Sequence, residues 1–510
     1  MVRADRQENT GLFGWVEKVG NKLPNPFLLF IYLIVALMVA TLVLSLFNAT
    51  AHNPIDGEKV HVKNLLSREG IQWLLPNVVK NFADFKPLAS ILALVLGIGL
   101  AEKVGLLEAV MRKMAVRVPA RYASYLVIFI AFFSHVSSDA ALVIMPPLGA
   151  LIFLAVGRHP VAGLIAAIAG VGAGFTANML IVTTDVLLSG ISTEIAASVD
   201  PNVGVTVLDN WYFMSASVVV LTLVAGFMTD KFLEPRLGKY EGERVYKLEA
   251  PTPEENKALR AAGIAALLFI GVMAFLVIPP NAVLRNPETG SVMGSPFLSG
   301  IVPVILLFFF TVALTYGIKL KVIQNQNDLP KLLIEPIKTM AGFIVMVFPL
   351  SQFVAMFNWS NMGKFLALTI TDLLEKTGIN GIPVVIGLVF LSALLTMFIA
   401  SGSAIWSILA PVFIPMMMLL GFHPAFTQVI FRVSDSVVIP LAPVSPFVPL
   451  FVGFLQEYRK DAKLGTYYSL ILPYSIVFFS VWVIMVVLWY VFNLPLGQGL
   501  TRDCKHSHFK

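Results

Sequence analysis

The chain alternates long apolar runs with short polar segments, and nine of the runs are long enough to cross a bilayer as helices. An α-helix needs about 20 apolar residues to span the roughly 30 Å of hydrocarbon in a membrane. Two runs, 160–199 and 424–455, are too long for one plain span and carry polar residues in the middle, so each predicts a helix broken near the midplane. The other seven runs cover 26–47, 82–101, 212–233, 259–279, 298–318, 335–357 and 467–493.

Two further apolar regions, 122–157 and 381–421, are each split by a small polar cluster into arms of about 14 to 19 residues. Arms of that length are short for a full span, which favours a re-entrant hairpin over a pair of crossing helices. The tips are expected to be Ser137, Ser138 and Asp139 in the first hairpin and Ser401, Gly402 and Ser403 in the second. The pattern predicts an all-α polytopic membrane protein with about nine spans and two re-entrant hairpins.

The hairpins belong to an internal repeat. Sliding the sequence on itself until Ser137 falls on Ser401 aligns "SSDAALVIMPPLGALIFLAVGRHP" (137–160) with "SGSAIWSILAPVFIPMMMLLGFHP" (401–424) without a gap. Seven of the 24 pairs are identical, including a serine at each tip and the GxHP sequence at each hairpin base. Apolar sequence matches itself easily, but these polar and glycine matches indicate a duplicated unit.

Counting spans from a cytosolic amino terminus predicts that the first hairpin opens to the cytosol and the second to the outside, so the repeats are inverted. Lys and Arg support this orientation, because 24 fall in segments assigned to the inside and 11 in segments assigned to the outside. The expected divisions are a cytosolic leader at 1–24, a first repeat at 25–235, a cytosolic linker at 236–258, a second repeat at 259–497 and a tail at 498–510. Inverted repeats with discontinuous helices are the architecture of secondary transporters.

Composition agrees with a membrane protein and excludes several other classes. Hydrophobic residues make up 57% of the chain and charged residues 13%, and the mean hydropathy is +0.82. The single cysteine, Cys504, excludes a disulfide within the chain, and the seven histidines show no metal-ligand spacing. The net charge of +6 comes from short loops, where basic residues set topology, so nucleic acid is not an expected partner. No cofactor and no metal other than a possible sodium ion are predicted.

Polar residues at the tips and breaks are the candidate chemistry, because hairpin tips and unwound helices persist in hydrocarbon only where they line a cavity. Asp139 is expected either to cap a helix or to hold a cation and gate the tip. Asp185 is expected to bind a ligand or to cap the next helix segment, with Asn178 and Thr183 in the same break. The hydroxyls of the tip serines, Ser137, Ser138, Ser401 and Ser403, either ligate a small cation or bond back to helix carbonyls.

The segments "FFSHVSSDAALVIMPP", "GFTANMLIVTTDVLLSGIS", "FIASGSAIWSILAPVFIPM" and "FRVSDSVVIPLAPVSPF" resemble the AbgT family, the p-aminobenzoyl-glutamate transporters. The resemblance runs from about Phe13 to Gly497. It implies a cation-coupled transporter of a folate breakdown product, an aromatic carboxylate, in the inner (cytoplasmic) membrane, forming a homodimer among the lipids. The family's functional positions fall here on Asp185, Ser403, Trp406, Arg432, Asp435 and the helix break at Pro443.

Two of these positions keep alternative interpretations. Arg432 and Asp435 are the only charged residues between Thr377 and Gln456. Three positions apart on a helix, they either form a buried ion pair with each other or act separately, Arg432 on a substrate carboxylate and Asp435 on the cation. Trp406 either stacks on the aminobenzoyl ring of the substrate or serves as a large buried residue. His135, His159 and His423 are expected to be structural.

The main alternative function is export of sulfonamide-type drugs or p-aminobenzoate. A passive channel is a more remote alternative, which uphill accumulation of substrate would exclude. An intramembrane protease is also remote, because the serine motif "ASGSA" near His423 recurs in the other repeat and the GxGD signature is absent from the sequence. The sequence therefore predicts a transporter, with no enzymatic activity.

Overall fold

The computed structural model describes residues 26–52, 59–116, 119–137, 140–240, 250–292, 295–377, 381–398, 402–442, 445, 447–498 and 500–503. Almost all regular structure in these residues is α-helical. The exception is a two-stranded antiparallel sheet of β1 (Thr50–His52) and β2 (Lys59–His61), in which Ala51 pairs with Val60. Seven of the described helices are long and apolar enough to cross a membrane, by length and composition. The prediction of an all-α polytopic membrane protein is confirmed.

Within the described residues, the first half of the chain forms ten α-helices, several of them joined by short 3₁₀ or π turns. Their bounds are α1 Pro26–Leu46, α2 Arg68–Ala83, α3 Lys86–Lys103, α4 Leu106–Ala115, α5 Ala123–Phe133, α6 Ala140–Ala155, α7 Pro160–Ile168, α8 Thr183–Val199, α9 Trp211–Met228 and α10 Glu234–Leu237. A 3₁₀ turn at Ser134–Ser137 continues α5, and π turns at Ala169–Ala173 and Thr229–Leu233 continue α7 and α9. Single π turns inside helices are frequent at functional sites.

The described part of the second half forms eleven α-helices. Their bounds are α11 Pro253–Val277, α12 Pro296–Ser299, α13 Ile301–Lys319, α14 Asp328–Thr339, α15 Ala341–Trp359, α16 Met362–Thr377, α17 Ile382–Thr396, α18 Gly402–Leu419, α19 Pro424–Val438, α20 Phe447–Tyr458 and α21 Leu464–Phe492. All residues of α7 and of α19 are buried, so the first segments of both broken helices lie in the interior of the protein.

The predicted repeat is confirmed in the register of these elements. The offset that pairs Ser137 with Ser401 also relates the ends of α6 and α18, the starts of α7 and α19 and the starts of α8 and α20. At both hairpin bases a glycine takes a left-handed conformation, with φ of +73° at Gly157 and +85° at Gly421. The histidine that follows two residues later caps the next helix, since His159 and His423 accept the backbone N–H of Val161 and Ala425. Both histidines thus have the structural role expected for them.

The second arm of the first hairpin packs closely on the first broken helix. The second arm, α6, crosses α7 where Gly149 faces Gly163, and a Cβ atom on Gly149 would lie 2.5 Å from the Gly163 carbonyl oxygen. A side chain at this crossing would force the helices apart, so small residues allow the close approach that membrane helices use in place of a hydrophobic driving force.

Several helices differ from the predicted spans. The segment 48–81, between the first two predicted runs, contains most of α2, which Ser67 caps and which packs on α15 through stacked Trp73 and Trp359 rings 5.1 Å apart. The predicted run 335–357 is divided at Met340 into α14 and α15, and α16 lies outside all the predicted runs. The helices α2, α14 and α16 mix polar and apolar residues. They therefore contain no long apolar run by which a membrane span could be recognised.

Candidate functional site

The first helix break lies against the last turns of α19 in the interior. The first break follows the π turn at Ala169–Ala173 and ends where α8 begins at Thr183, while the second separates α19 from α20. Thr176 in the first break donates its backbone N–H to the Ser436 hydroxyl oxygen over 3.1 Å. The Thr176 and Ser436 hydroxyls lie 2.7 Å apart, and that of Thr176 also donates to the carbonyl oxygen of Arg432 over 3.1 Å. The first break and the last turns of α19, just before the second break, therefore form one continuous polar region.

A buried ion pair crosses this region. The Nη2 atom of Arg432 on α19 lies 2.7 Å from Oδ1 of Asp185 on α8, and their side chains are 1% and 5% exposed. The same Nη2 atom donates to the carbonyl oxygen of Thr176 over 2.9 Å. Removing one partner of such a pair leaves a buried charge uncompensated and typically costs about 3–5 kcal/mol. The pair therefore joins the two repeats at their centre.

Asp185 has a second set of partners. Its Oδ2 atom accepts hydrogen bonds from Asn178 Nδ2 over 3.0 Å and from the backbone N–H of Val182 over 2.8 Å. The bond to Val182 is a helix cap, because Asp185 is the third residue of α8 and satisfies one of the free N–H groups at its start. The structure shows the cap expected as one role of Asp185, and its other oxygen is paired with Arg432.

Of the two interpretations kept for Arg432 and Asp435, the ion pair between them is not formed in the described structure. In the described structure Arg432 extends to Asp185, while Asp435, 3% exposed, lies near the hydroxyl of Thr396 at the end of α17. The start of α18 approaches the same carboxylate so closely that a Cβ atom on Gly402 would lie 2.6 Å from Asp435 Oδ2. Residues three apart on a helix can meet, but here the two side chains diverge toward different elements.

Two buried ionic atoms in this region have no hydrogen-bond partner within the described part of the chain. They are Nε of Arg432 and Oδ1 of Asp435. A buried polar atom without a partner costs about 1–3 kcal/mol, and an atom of a charged group costs more. Such an atom is uncommon in a native structure, where buried polar groups are normally hydrogen-bonded. The structure thus indicates a donor and an acceptor available to ligands on the two sides of α19.

Trp406 is fully buried. Its ring stacks on Phe431 with centroids 4.7 Å apart, and its Nε1–H donates to the Ser192 hydroxyl over 3.1 Å. Ser192 donates in turn to Gln428 Oε1 over 2.9 Å. In this conformation Trp406 supports the residue beside Arg432 and presents no open face to a substrate ring. Ser192 and Gln428 were not predicted from the sequence. Both are polar residues on buried apolar helices, and Gln428 lies one turn before Arg432, which is the signal that could have identified them.

The first hairpin tip also contacts a break. His135 Nδ1 lies 3.0 Å from the carbonyl oxygen of Ala177, so the histidine anchors the tip to the first break, as its expected structural role requires. Ser137 ends the 3₁₀ turn at the tip. Ser403, half-buried, is the second residue of α18, and its carbonyl oxygen accepts the hydroxyl of Ser407 over 2.7 Å. Thr183 is the half-buried first residue of α8.

Some predicted positions lie outside the described residues. They are Ser138, Asp139, Ser401 and Pro443, together with the leader 1–24 and Cys504 in the tail. Within the described ranges there is no group of three or more His, Cys, Asp or Glu side chains arranged to hold a metal ion. Oxygen ligands for a small cation would therefore come from single carboxylates, hydroxyls and backbone carbonyls.

A helical membrane protein whose repeated, broken helices meet at buried charges has the features of a secondary transporter. A model described as the AbgT putative transporter family matches residues 11–503, and the chain belongs to that family. It is 67% identical over 489 residues, 96% of each chain, to the p-aminobenzoyl-glutamate transport protein of Escherichia coli strain K12. The family assignment and the prediction of a transporter that is not an enzyme are confirmed.

Two solved structures share the fold. The Alcanivorax borkumensis YdaH transporter, described as having an unusual topology, is 34% identical with a TM-score of 0.89, over 93% of this chain and 100% of its own. Neisseria gonorrhoeae MtrF, described as illuminating a class of antimetabolite efflux pumps, is 36% identical with a TM-score of 0.89, over 94% of this chain and 97% of its own. The predicted transporter fold is confirmed by this agreement over nearly the whole chain.

Proposed function

We propose that this protein is a cation-coupled secondary transporter of p-aminobenzoyl-glutamate that works by alternating access at the two helix breaks. The substrate is suggested by the name of the Escherichia coli relative, which is similar over almost the whole chain. The observation that carries the proposal is the buried contact between Arg432 and Asp185, because it puts a carboxylate-binding group where the two repeats meet.

Arg432 is suited to bind a carboxylate of the substrate. A guanidinium group presents a planar fork of donors that matches a carboxylate with two parallel hydrogen bonds. Its Nε atom lacks a partner in the described structure, and its Nη2 atom is held by Asp185 and by the carbonyl of Thr176. A substrate carboxylate would take Nε and compete with Asp185 for Nη2. Asp185 would keep its bonds to Asn178 and Val182, so its position would survive the exchange.

Asp435 is the proposed binding group for the coupling cation. Among the described residues, the buried ionic side chains Arg432, Asp185 and Asp435 carry one positive and two negative charges, and an excess negative charge is costly at membrane depth. A sodium ion or a proton on Asp435 would compensate it. The Thr396 hydroxyl and the second hairpin tip near Gly402 and Ser403 are the neighbouring oxygen sources. Substrate carboxylates add further negative charge, which would couple substrate binding to cation binding.

Alternating access would follow from the repeat. If the two copies are inverted in the membrane, the first hairpin closes the site from the cytosol and the second from outside, and the site opens to one side at a time. We further propose the repeat boundaries given above, 25–235 and 259–497, and a homodimer in the inner membrane. The registers of the hairpin bases support the duplication, while the orientation rests on the counts of basic residues.

Reconstitution would test this proposal. Purified protein in liposomes should accumulate labelled p-aminobenzoyl-glutamate against its gradient when an inward sodium or proton gradient is imposed. Accumulation should stop when an ionophore collapses the coupling gradient. Uptake that only equilibrates the substrate, whatever gradient is imposed, would instead identify a passive channel. Arg432→Lys protein in the same liposomes controls for leakage.

Export of antimetabolites is the second candidate, favoured by the similarity to MtrF. Sulfonamides lack the carboxylates for which Arg432 is suited, so the two candidates make different demands on this residue. If p-aminobenzoyl-glutamate is the main substrate, Arg432→Lys should abolish its transport. Sulfonamide transport that survives Arg432→Lys, with no transport of p-aminobenzoyl-glutamate by the parent protein, would favour the exporter.

A further inference from the structure

A long apolar cavity runs along α11, away from the ionic side chains at the breaks. Its volume is about 680 Å³, within the roughly 300–1,000 Å³ of sites that hold small organic molecules. Residues of α11 line it every three or four positions from Leu259 to Ile278, which corresponds to about 28 Å of helix. One face of α11 therefore borders the cavity over a length close to the thickness of the hydrocarbon core.

We propose that this cavity, the α11 groove, binds the acyl chain of a membrane phospholipid and holds it against the first hairpin tip and the first break. Every side chain that lines the groove is apolar. Such a surface offers no hydrogen bond to a carboxylate or an amide, and a polar molecule would lose its hydration without compensation. The chemistry therefore fits a hydrocarbon chain and excludes p-aminobenzoyl-glutamate.

The position of α11 indicates the source of the hydrocarbon. Within its most apolar window only 6% of residues are buried, and Leu267 and Phe275 are 72% and 75% exposed. A helix that is apolar on nearly all sides and has few protein neighbours faces lipid. Near the end of α11 that is predicted to face the cytosol, Lys257 and Arg260 are exposed, which suits an anionic headgroup. A phospholipid of the surrounding bilayer meets both requirements.

The groove reaches parts of the protein that belong to the proposed transport site. Phe133 ends the first hairpin arm, α5, Val136 lies in the 3₁₀ turn that leads to the tip, and Leu180 and Ile181 come from the first break. Val136 follows His135, whose ring bonds to the backbone of the break. A bound acyl chain would therefore contact apolar residues next to the polar contacts of the tip and the break, and its occupancy would favour the conformation in which they are joined.

Two glycines of α11 provide a matched test. A Cβ atom on Gly263, which lines the groove, would meet no atom within 4 Å, and the same is true of Gly271, which does not line it. Gly263→Leu should occupy space in the groove, while Gly271→Leu adds the same side chain to a lipid-facing surface. Displacing about two methylene groups of a bound chain would weaken its binding about tenfold.

The measurement is native mass spectrometry of the full-length protein after incubation with phosphatidylglycerol in detergent. The parent and Gly271→Leu should retain the phospholipid, and Gly263→Leu should lose most of it. Equal retention by the two variants would overturn the proposal, as would unchanged lipid with a loss of dimer in Gly263→Leu, since that would place a second copy in the groove. If Gly263→Leu does not accumulate, Ala274→Leu in the same groove serves instead. The outcome is independent of the proposed substrate.

Discussion

The two broken helices share their backbone plan but differ in where they carry charge. Both begin after a left-handed glycine and a capping histidine, and both break at the same place in the repeat. In the second repeat Arg432 and Asp435 precede the break. The equivalent positions of the first repeat are Ile168 and Val171, which are apolar and buried. The duplicated scaffold thus carries these two charged groups in one copy only.

The first repeat contributes a charge on the other side of its break. Asp185 follows the break at the start of α8, and its equivalent in the second repeat is Pro449. The ion pair of Asp185 and Arg432 therefore joins positions that are not related by the repeat. A symmetric backbone can support two similar conformations, while an asymmetric set of charges defines a single way for a ligand to bind. The backbone that changes conformation can therefore be symmetric while the side chains that bind the ligand are not.

The largest expected effect comes from removing one member of the ion pair that joins the two repeats. Arg432→Leu should leave Asp185 as an uncompensated buried charge and destabilise the protein by about 3–5 kcal/mol, with loss of transport. The double variant Arg432→Leu/Asp185→Leu should recover most of the stability, because neither member of the pair remains as an unpaired charge, but should transport nothing. Thermal unfolding in detergent and uptake into liposomes measure the two effects separately.

Arg432→Lys sharpens the same test, because it keeps the charge and removes the planar fork. It should reach the membrane in normal amount and still fail to transport p-aminobenzoyl-glutamate. Transport near the parent rate by Arg432→Lys or by the double variant would show that the pair is only structural.

A smaller effect is expected from adding a side chain at Gly402 next to Asp435, a carboxylate that has no equivalent in the first repeat. The Cβ atom of Gly402→Ala would lie 2.6 Å from Asp435 Oδ2, so the hairpin tip or the carboxylate must move. We expect the cation concentration for half-maximal transport to rise about tenfold, a change of about 1.4 kcal/mol in cation binding. Gly387→Ala on α17, where a Cβ atom meets nothing within 4 Å, is the control. An equal rise of this cation concentration in the two variants would show that Asp435 does not bind the cation.

Removing a single hydroxyl at either hairpin tip should have a weaker effect on activation by the cation. The two variants test whether both tips contribute to cation binding. Ser137→Ala and Ser403→Ala should each weaken activation by the coupling cation, by about 1 kcal/mol or about fivefold, while substrate affinity at saturating cation changes less. Ser407→Ala, which removes a hydroxyl bonded to the Ser403 carbonyl within the helix, is the control for Ser403. Unchanged cation dependence in both tip variants would make these serines structural.

The smallest perturbation tests the inverted orientation. Gly157 and Gly421 mark the hairpin bases, but their positive φ would strain a cysteine there by roughly 1–2 kcal/mol. The preceding residues avoid this strain, so Val156→Cys and Leu420→Cys are preferred, in protein with Cys504→Ser. A membrane-impermeant thiol reagent should label Val156→Cys from the cytosol and Leu420→Cys from outside. Labelling of both from one side would contradict inversion.

The sequence alone determined the elements that depend on local pattern. Continuous hydrophobicity located most spans, and short arms around polar clusters located the hairpins, because the thickness of a bilayer sets the length of a crossing helix. The offset that pairs Ser137 with Ser401 predicted the common register that the glycine and histidine at each hairpin base now show. Segments of mixed polarity, such as α2 and α14, were missed because they have no long apolar run.

Which charges meet depends on the packing of the helices. Helical spacing pointed from Arg432 to Asp435, three residues away, whereas the actual partner is Asp185, far earlier in the chain. Asp435 instead faces the tip of the second hairpin at Gly402, and Trp406 turns out to stack on Phe431. A side chain on a helix can reach neighbours on its own helix or on another one, and the choice depends on how the helices of the two repeats are placed together. That placement comes from contacts over the whole membrane domain, which no local pattern contains.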